Sequence, residues 1–175
     1  LRCLRAYDPG HDIPALRARF AGTGGLLEMG SNENCYGPSQ SVHAALASQW
    51  TSLHRYPDPS GKALKSAIAA THGIDAAEIA LGNGSHELLM QLAQVFAGPE
   101  DEVLVSRYCF AVYPIAATAV GARLVLAEAL PADADMPLGH DLAAMAAGIG
   151  ARTKLVFFAN PNNPTGTWLA AAPLK

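Results

Sequence analysis

The sequence has few of the features that would assign it to several common classes. Its three cysteines, Cys3, Cys35 and Cys109, are odd in number and form no C-x-x-C pair, which argues against a disulfide framework or a zinc site. No apolar run approaches the roughly 20 residues needed to cross a bilayer, and residues 1–9 lack the apolar core of a signal peptide. We therefore expect a cytoplasmic protein with reduced thiols.

Runs of charged residues of one sign are also missing. The 12 basic and 15 acidic residues form no run, and their net charge of -3 leaves no electrostatic footprint for nucleic acid or an anionic membrane. The six histidines form no H-E-x-x-H pair, and His86-Glu87 has no second ligand one helical turn later. We expect no metal, no nucleic-acid partner and no membrane partner.

The residues that are present favour a folded α/β domain. Of the 175 residues 50% are hydrophobic, which is enough for one sizeable core. Short apolar segments predict strands at Glu102–Ser106, Arg123–Ala127 and residues 154–159, with helices at residues 111–119 and 141–149. This alternation is typical of a mostly parallel sheet with helices on both faces.

Upstream of these strands the pattern predicts an arm and then a helix. Residues 1–38 are rich in turn formers, and only residues 26–29 are expected to be extended. Ser39 or Ser41 caps the helix, whose apolar face is expected to pack inward. That face consists of Val42, Ala45, Leu46, Trp50 and Leu53.

Two further helices are predicted before the first strand of the sheet. One runs through Leu64 and Ile68, and an apolar strand at residues 79–81 separates it from the next. The next helix repeats apolar residues at a 3.6-residue period through residues 88–96 and ends before Gly98-Pro99.

The end of the sequence suggests an incomplete domain. Only nine residues follow the turn at residues 160–166, too few to cover so apolar a sheet. We expect residues 1–38 to form an N-terminal arm and residues 39–175 to be the first part of a truncated large domain.

The loop at residues 82–87, G-N-G-S-H-E, lies between the predicted strand and a helix. Backbone N–H groups and the helix dipole at such a position attract phosphate, and glycine permits close approach. Glu87 occupies the third glycine position of G-x-G-x-x-G, and the Walker spacing is absent. Dinucleotide and nucleoside-triphosphate binding are therefore disfavoured, and an ordinary strand-to-helix turn is the alternative.

The string N-P-N-N-P-T-G at residues 160–166 follows a predicted buried strand. Ligands of open α/β sheets bind at this end of the strands. Two X-Pro bonds stiffen the turn, Asn163-Pro164 is a candidate cis bond, and an Asn amide there can face a ring hydroxyl. A plain turn is the alternative.

Phe110 is expected just beyond the strand Glu102–Ser106, at the same end of the sheet. Its ring could lie flat on a planar cofactor. Core packing is an equally simple explanation, and Tyr108 and Tyr113 flank it closely enough to be the stacking residue instead.

Five motifs in order resemble the histidinol-phosphate aminotransferase family, whose members are fold-type-I enzymes that depend on pyridoxal 5'-phosphate (PLP). Their sequences are G-S-N-E-N followed by Y-G-P, then R-Y-P-D-P, N-G-S-H-E, F-A-V-Y and N-P-N-N-P-T-G, and they span nearly the whole chain. The last string is shared broadly among fold-type-I aminotransferases, whereas the first two are more specific.

The resemblance implies a role for each matched residue at the cofactor. Gly84, Ser85 and His86 would bind the PLP phosphate, Phe110 would stack on the pyridine ring, and Asn163 would bond the 3-hydroxyl.

It also implies a homodimer and a substrate pocket. Tyr56 would reach the phosphate of the neighbouring subunit's cofactor, and Asn32 and Glu33 would line the substrate pocket. Cys35 replaces the proline usual in the arm motif, and His86 stands where the family usually has Asp or Ala.

The same resemblance implies a missing catalytic half. The Schiff-base lysine, an aspartate for the pyridine nitrogen and the substrate arginines lie beyond the N-P-T-G turn in the family. None of the lysines of this chain has the family's S-K context; they are Lys62, Lys65, Lys154 and Lys175. We therefore assign no catalytic residue here and expect weak phosphate or PLP binding without turnover.

The expected reaction of the whole enzyme is transfer of an amino group from histidinol phosphate to 2-oxoglutarate, a step of histidine biosynthesis. Alternatives within the fold are an aromatic amino acid aminotransferase and an enzyme like phosphothreonine decarboxylase. A noncatalytic truncated remnant is the alternative from another class, and an NAD-binding module is a distant one.

Overall fold

The computed structural model describes residues 10–22 and 25–171. Its described residues fall into two compact units, one up to residue 79 and one from residue 80 onward. Cys3 and Lys175, which the sequence analysis considered, lie outside the described residues.

The first unit is helical. Its α-helices are α1 (Ile13–Arg19), α2 (Gln40–Gln49) and α3 (Lys62–His72), and two 3₁₀ turns lie at Trp50–Ser52 and Ala76–Glu78. The sequence analysis missed α1, which lies inside the predicted arm. Asp12 caps this helix by accepting from the N–H of Ala15 at 3.0 Å, and a proline lies in its first turn.

Helix α2 begins where predicted, because the hydroxyl of Ser39 accepts from the N–H of Val42. The prediction that its apolar face packs inward is wrong: Val42 is 45% exposed and Trp50 is 70% exposed, with Leu46 and Leu53 between these values. Within its own unit α2 contacts only the 3₁₀ turn that continues it, so no other element there covers this face.

The second unit is built on a parallel sheet, as predicted. Strands β1 (Glu102–Ser106), β2 (Arg123–Ala127) and β3 (Thr153–Val156) are ordered β2-β1-β3 and all pair in parallel. The first two strands have the predicted bounds. Helices α4 (Gly84–Phe96), α5 (Val112–Ala119) and α6 (Leu142–Gly148) complete the unit.

Helices cover both faces of the sheet. On one face Val103 and Val105 pack with Tyr113 of α5 and with Leu89 of α4. On the other face Leu104 packs with Met145 of α6. Because neighbouring strand residues point to opposite faces, the five buried residues of β1 are shared between the two layers.

Two predicted strand segments differ from the structure. The segment at residues 79–81 is not a strand, because the N–H of Ile79 bonds to Ala76 O and closes a 3₁₀ turn instead of joining a ladder. Strand β3 ends at Val156 rather than residue 159. Phe157 still donates to Leu104 O at 3.0 Å, after which the chain leaves the sheet.

Glu102 connects the amino-terminal ends of all three strands. Its side chain is 7% exposed and pairs with Arg123 at 2.5 Å and Arg152 at 2.9 Å. The hydrogen bond from Arg123 lowers the pKa of Glu102, against the opposing effect of desolvation. The carboxylate therefore stabilises the sheet in its charged form.

No helix within residues 10–22 and 25–171 has both the length and the apolarity to cross a membrane.

We predict that Glu102→Gln lowers the melting temperature by several degrees at pH 7. Because the folded state lowers the pKa of Glu102, its charged form contributes stability above the ordinary pKa, and this contribution is lost as the pH falls through the lowered value. The deficit of the variant should stay constant from pH 7 down to the ordinary pKa of 4.5 and shrink as the pH falls further. Thermal unfolding followed by circular dichroism measures it.

Glu128→Gln is the matched control, since Glu128 pairs with Arg107 on the surface with side chains 67% and 48% exposed. Exposed pairs contribute little to stability, so this variant should melt close to the parent protein. Equal deficits for the two variants would contradict a special role of Glu102.

Candidate functional site

The connection after β1 and the turn at residues 160–166 meet beyond the carboxyl-terminal ends of the strands, an edge called the carboxyl edge below. One core cluster contains Leu89 from the first half of α4, Phe110 from the connection after β1, and Ala159, which precedes the turn at residues 160–166. The predicted stacking ring and hydroxyl-binding turn thus lie on neighbouring segments, and α4, which begins at the predicted phosphate loop, packs on the same core cluster.

The loop at residues 82–87 needs both of its glycines. A Cβ on Gly82 would lie 2.9 Å from Cγ of Leu88, so this position tolerates no side chain without a shift. Gly84 has a φ of +80°, and a Cβ there would meet nothing within 4 Å. The backbone at Gly84 therefore faces open space, where a ligand could approach it closely.

Glu87 shapes this loop, which sequence reasoning did not foresee. Its Oε2 accepts from the backbone N–H of Asn83 at 2.5 Å and from Asn83 Nδ2 at 3.0 Å. These two hydrogen bonds, the backbone bond foremost, lower the pKa of Glu87. Glu87 follows Asn83 by four residues rather than the three of a capping box, so that motif does not indicate these bonds.

Helix α4 presents an uncapped N-terminus at this loop. The side chain of Asn83 makes no capping hydrogen bond to the first turn, and the first N–H groups of a helix have no acceptor within it. Ser85 and His86 are exposed there, at the positive end of the dipole of a 13-residue helix. This arrangement is suited to an anion.

The ring of Phe110 is half-buried and serves the core in part. It meets Tyr113 edge-on at 5.9 Å, and Tyr113 stacks on Phe157 at 4.8 Å. Tyr113 is buried in the core, which removes it as a surface for a ligand. The alternative of core packing therefore holds for part of Phe110, while stacking on a cofactor stays a prediction.

The turn at residues 160–166 contains two cis peptide bonds, Asn160-Pro161 and Asn163-Pro164, of which the second was the predicted candidate. Asn163 is exposed at its tip. Its exposed amide is free of core packing, as its predicted role requires, and its bond to a hydroxyl stays a prediction.

Asn162, which sequence reasoning did not single out, joins this turn to the connection after β1. It is 3% exposed, and its Nδ2 donates to Tyr108 O and to Thr165 Oγ1, both at 2.8 Å. Its backbone N–H donates to Thr167 O and its carbonyl accepts from Gly166, both at 2.8 Å. The neighbouring Asn163 is thereby fixed relative to the segment that carries Phe110.

The remaining predicted site residues belong to the first unit. Tyr56 is 100% exposed. Asp58, in the same loop, accepts from the N–H groups of Ser60 and Lys62, both at 2.9 Å. The hydroxyl of Ser60 is the main cause of the lowered pKa of Asp58, and these bonds order the approach to α3.

Asn32 and Glu33 lie in the arm and are exposed, and Asn32 has a φ of +55°. Next to them Asn34 Oδ1 accepts from the N–H of Tyr36 at 3.0 Å, which closes the turn around Cys35. The pocket role of Asn32 and Glu33 stays a prediction, as does the contact of Tyr56 with a neighbouring subunit.

Within the described second unit, neither Cys109 nor Lys154 adds a reactive group to the carboxyl edge. Burial raises the pKa of Cys109 to about 11, so its thiol stays protonated. Lys62 and Lys65 lie on α3 and Lys154 on β3; Lys62 and Lys154 are exposed and Lys65 is half-buried. Within the described part of the chain, no three His, Cys, Asp or Glu side chains are grouped as metal ligands.

Comparison with known proteins assigns this arrangement to a family. The model of aminotransferase class I and II matches residues 25–175. The chain belongs to this family. It is 44% identical over 172 residues to histidinol-phosphate aminotransferase 1 of Nitrosococcus oceani and 42% identical to that of Idiomarina loihiensis, covering 98% of the chain in each case.

Solved structures agree on the fold. Histidinol-phosphate aminotransferase from Sinorhizobium meliloti, in complex with pyridoxal-5'-phosphate, is similar with a TM-score of 0.79 and 28% identity over 99% of this chain. An aspartate aminotransferase of Thermus thermophilus, at 21% identity and a TM-score of 0.75, shares the fold. The chain spans 45% of the length of the Nitrosococcus relative and 44% of the Sinorhizobium chain.

We predict that Asn162→Leu lowers the free energy of unfolding by ~2 kcal/mol, because it removes the buried donor to the partly buried acceptors at Tyr108 and Thr165. Asn163→Ala, at the exposed neighbouring position, should change it by less than ~0.5 kcal/mol. Urea titrations of both variants measure the difference. A loss at Asn163 equal to that at Asn162 would show that the two amides have the same structural role.

Proposed function

We propose that the chain is the amino-terminal part of a PLP-dependent aminotransferase that converts histidinol phosphate and 2-oxoglutarate to imidazole-acetol phosphate and glutamate. The hydrogen bond from Asn162 to Tyr108 carries the proposal, because it unites two predicted cofactor contacts, Asn163 and Phe110, at the edge where ligands of α/β sheets bind. The identity to two histidinol-phosphate aminotransferases supports the choice of substrate.

The residues at the carboxyl edge fit the parts of PLP. Gly84, Ser85 and His86 would bind the phosphate, since the N-terminus of α4 is uncapped and the space beside Gly84 is open. Phe110 would contact the ring face, and Asn163 would donate to or accept from the 3-hydroxyl. When bound, PLP supplies an electron sink for charge that develops on the substrate.

The work of these residues is to bind and orient. Fixed donors around the phosphate and the 3-hydroxyl hold the ring in one orientation, and the half-buried side of Phe110 excludes water from one face. The lysine, aspartate and arginines that the reaction requires would come from sequence that follows this chain. Residues 39–175 would then be part of the large domain, preceded by the arm of residues 1–38.

The proposal includes a cytoplasmic homodimer. Tyr56, whose side chain is 100% exposed, would contact the cofactor phosphate of the neighbouring subunit, and Asn32 and Glu33 would contact the substrate.

The test is a substrate panel on the full-length polypeptide with 2-oxoglutarate as acceptor. We expect histidinol phosphate to be preferred over phenylalanine by kcat/KM, and the 175-residue chain alone to show no turnover, since none of its lysines has the required context. A coupled assay of glutamate release measures both the donor preference and any turnover by the short chain. Preference for phenylalanine would support the aromatic alternative, and turnover by the short chain would refute the missing catalytic half.

A second prediction concerns length. The polypeptide made in the source cell should be about twice as long as this chain, because the chain corresponds to 45% of its Nitrosococcus relative. Intact mass spectrometry of the natural protein measures this. A mass that corresponds to a polypeptide ending at Lys175 would instead support a noncatalytic remnant of the family.

A further inference from the structure

His140 is a buried polar residue outside the predicted site. It is 5% exposed, and it precedes Asp141, the N-cap of α6. Its Nε2 lies 2.9 Å from Ala159 O, and because a carbonyl oxygen only accepts, Nε2 carries the hydrogen. Nδ1 has no hydrogen-bond partner among the described residues. One donor function of this ring is therefore used, and it is directed to Ala159.

Ala159 is the last residue before the turn at residues 160–166. Strand β3 has already ended at Val156, so the ladder no longer holds this part of the backbone. Here the ring of His140 holds the backbone instead. Its Nε2 donates to the carbonyl of Ala159, and the ring centroid lies 4.4 Å from that of Phe158. His140 itself is fixed by a backbone bridge to Ala129, just beyond β2.

The residue before His140 contacts the other end of the turn. A Cβ on Gly139 would lie 3.1 Å from Oγ1 of Thr167, so the backbone of Gly139 packs closely against the side chain of Thr167. Thr167 O accepts from the N–H of Asn162, and Thr167 Oγ1 lies 2.7 Å from Thr165 Oγ1. Gly139 and His140 thus contact both ends of the turn whose tip is Asn163.

We propose that His140 is a positioning residue for the cofactor site: its bond to Ala159 sets the entry of the turn, so that the amide of Asn163 faces the 3-hydroxyl of PLP. The inference rests on the proposed function, since it concerns the same cofactor. It assigns to His140 no contact with PLP.

The test compares PLP affinity among variants of the full-length polypeptide, measured by absorbance titration. His140→Leu removes the donor and should weaken PLP binding about tenfold. His140→Gln retains a donor that reaches Ala159 and omits only Nδ1, which has no partner here, so its affinity should stay within about threefold of the parent. Retained PLP affinity in this variant would show that the hydrogen bond of His140, rather than the volume of its side chain, supports PLP binding.

Met145→Ala is the matched control. Met145 is also 5% exposed and packs on the same face of the sheet, in the cluster that includes Phe158, but it does not bond the turn. It should lower the melting temperature and leave PLP affinity within about threefold. If it weakens PLP binding as much as His140→Leu does, the role of His140 is merely structural and the proposal is overturned.

A double-mutant cycle with Asn163→Ala decides whether His140 acts through Asn163. In the Asn163→Ala background, His140→Leu should have no further effect on PLP affinity, whereas a full additional tenfold loss would overturn the proposal. Should His140→Leu fail to fold, His140→Asn replaces it, because its shorter amide does not reach Ala159.

The cycle also separates the two levels of the proposal. If Asn163→Ala weakens PLP binding and His140→Leu does not, the positioning role alone fails. If the parent protein does not bind PLP, or Asn163→Ala leaves the affinity unchanged, the proposed cofactor site fails and the positioning role fails with it.

Discussion

Burial of β1 is the constraint on which the second unit depends. All five residues of this strand are buried, so its two faces need helices and its two edges need partner strands. Its apolar side chains pack on both faces, and its two edges pair in parallel with β2 and β3. Glu102 is the one charged residue of the strand, and two arginines satisfy it at the amino-terminal end. These ion pairs lie at the end of the sheet opposite the carboxyl edge, where ligands of open α/β sheets bind.

The strands and helices of this unit could be predicted because their local patterns agree with their tertiary environment. β1 and β2 are short apolar runs bounded by turns, and both have the predicted bounds. The segment at residues 79–81 has the same composition but donates its Ile79 amide to a 3₁₀ turn. Apolar composition alone therefore does not make a segment a strand, because the hydrogen-bond partner that does so depends on distant residues.

In the first unit, local signals indicate where helices begin but do not show how the helices pack. The caps Ser39 and Asp12 are local signals, and the second was overlooked inside a segment interpreted as an arm. The apolar spacing of α2 correctly indicates a helix with one apolar face, but spacing alone does not identify what covers that face. In the candidate site the same division holds: Asn163 and Phe110 could be proposed from motifs, whereas the bond from Asn162 to Tyr108 spans 54 residues and follows only from the packed fold.

Glu87 gives the loop at residues 82–87 a property that a glycine-rich sequence alone would lack. Its two bonds to Asn83 fix the loop from within. A loop that is already ordered loses little conformational freedom when an anion arrives, so less of the binding free energy is spent on ordering it. Preorganisation of this kind keeps the loop ordered although it contains two glycines, and in the proposed function an acidic side chain would thereby favour binding of a negatively charged group.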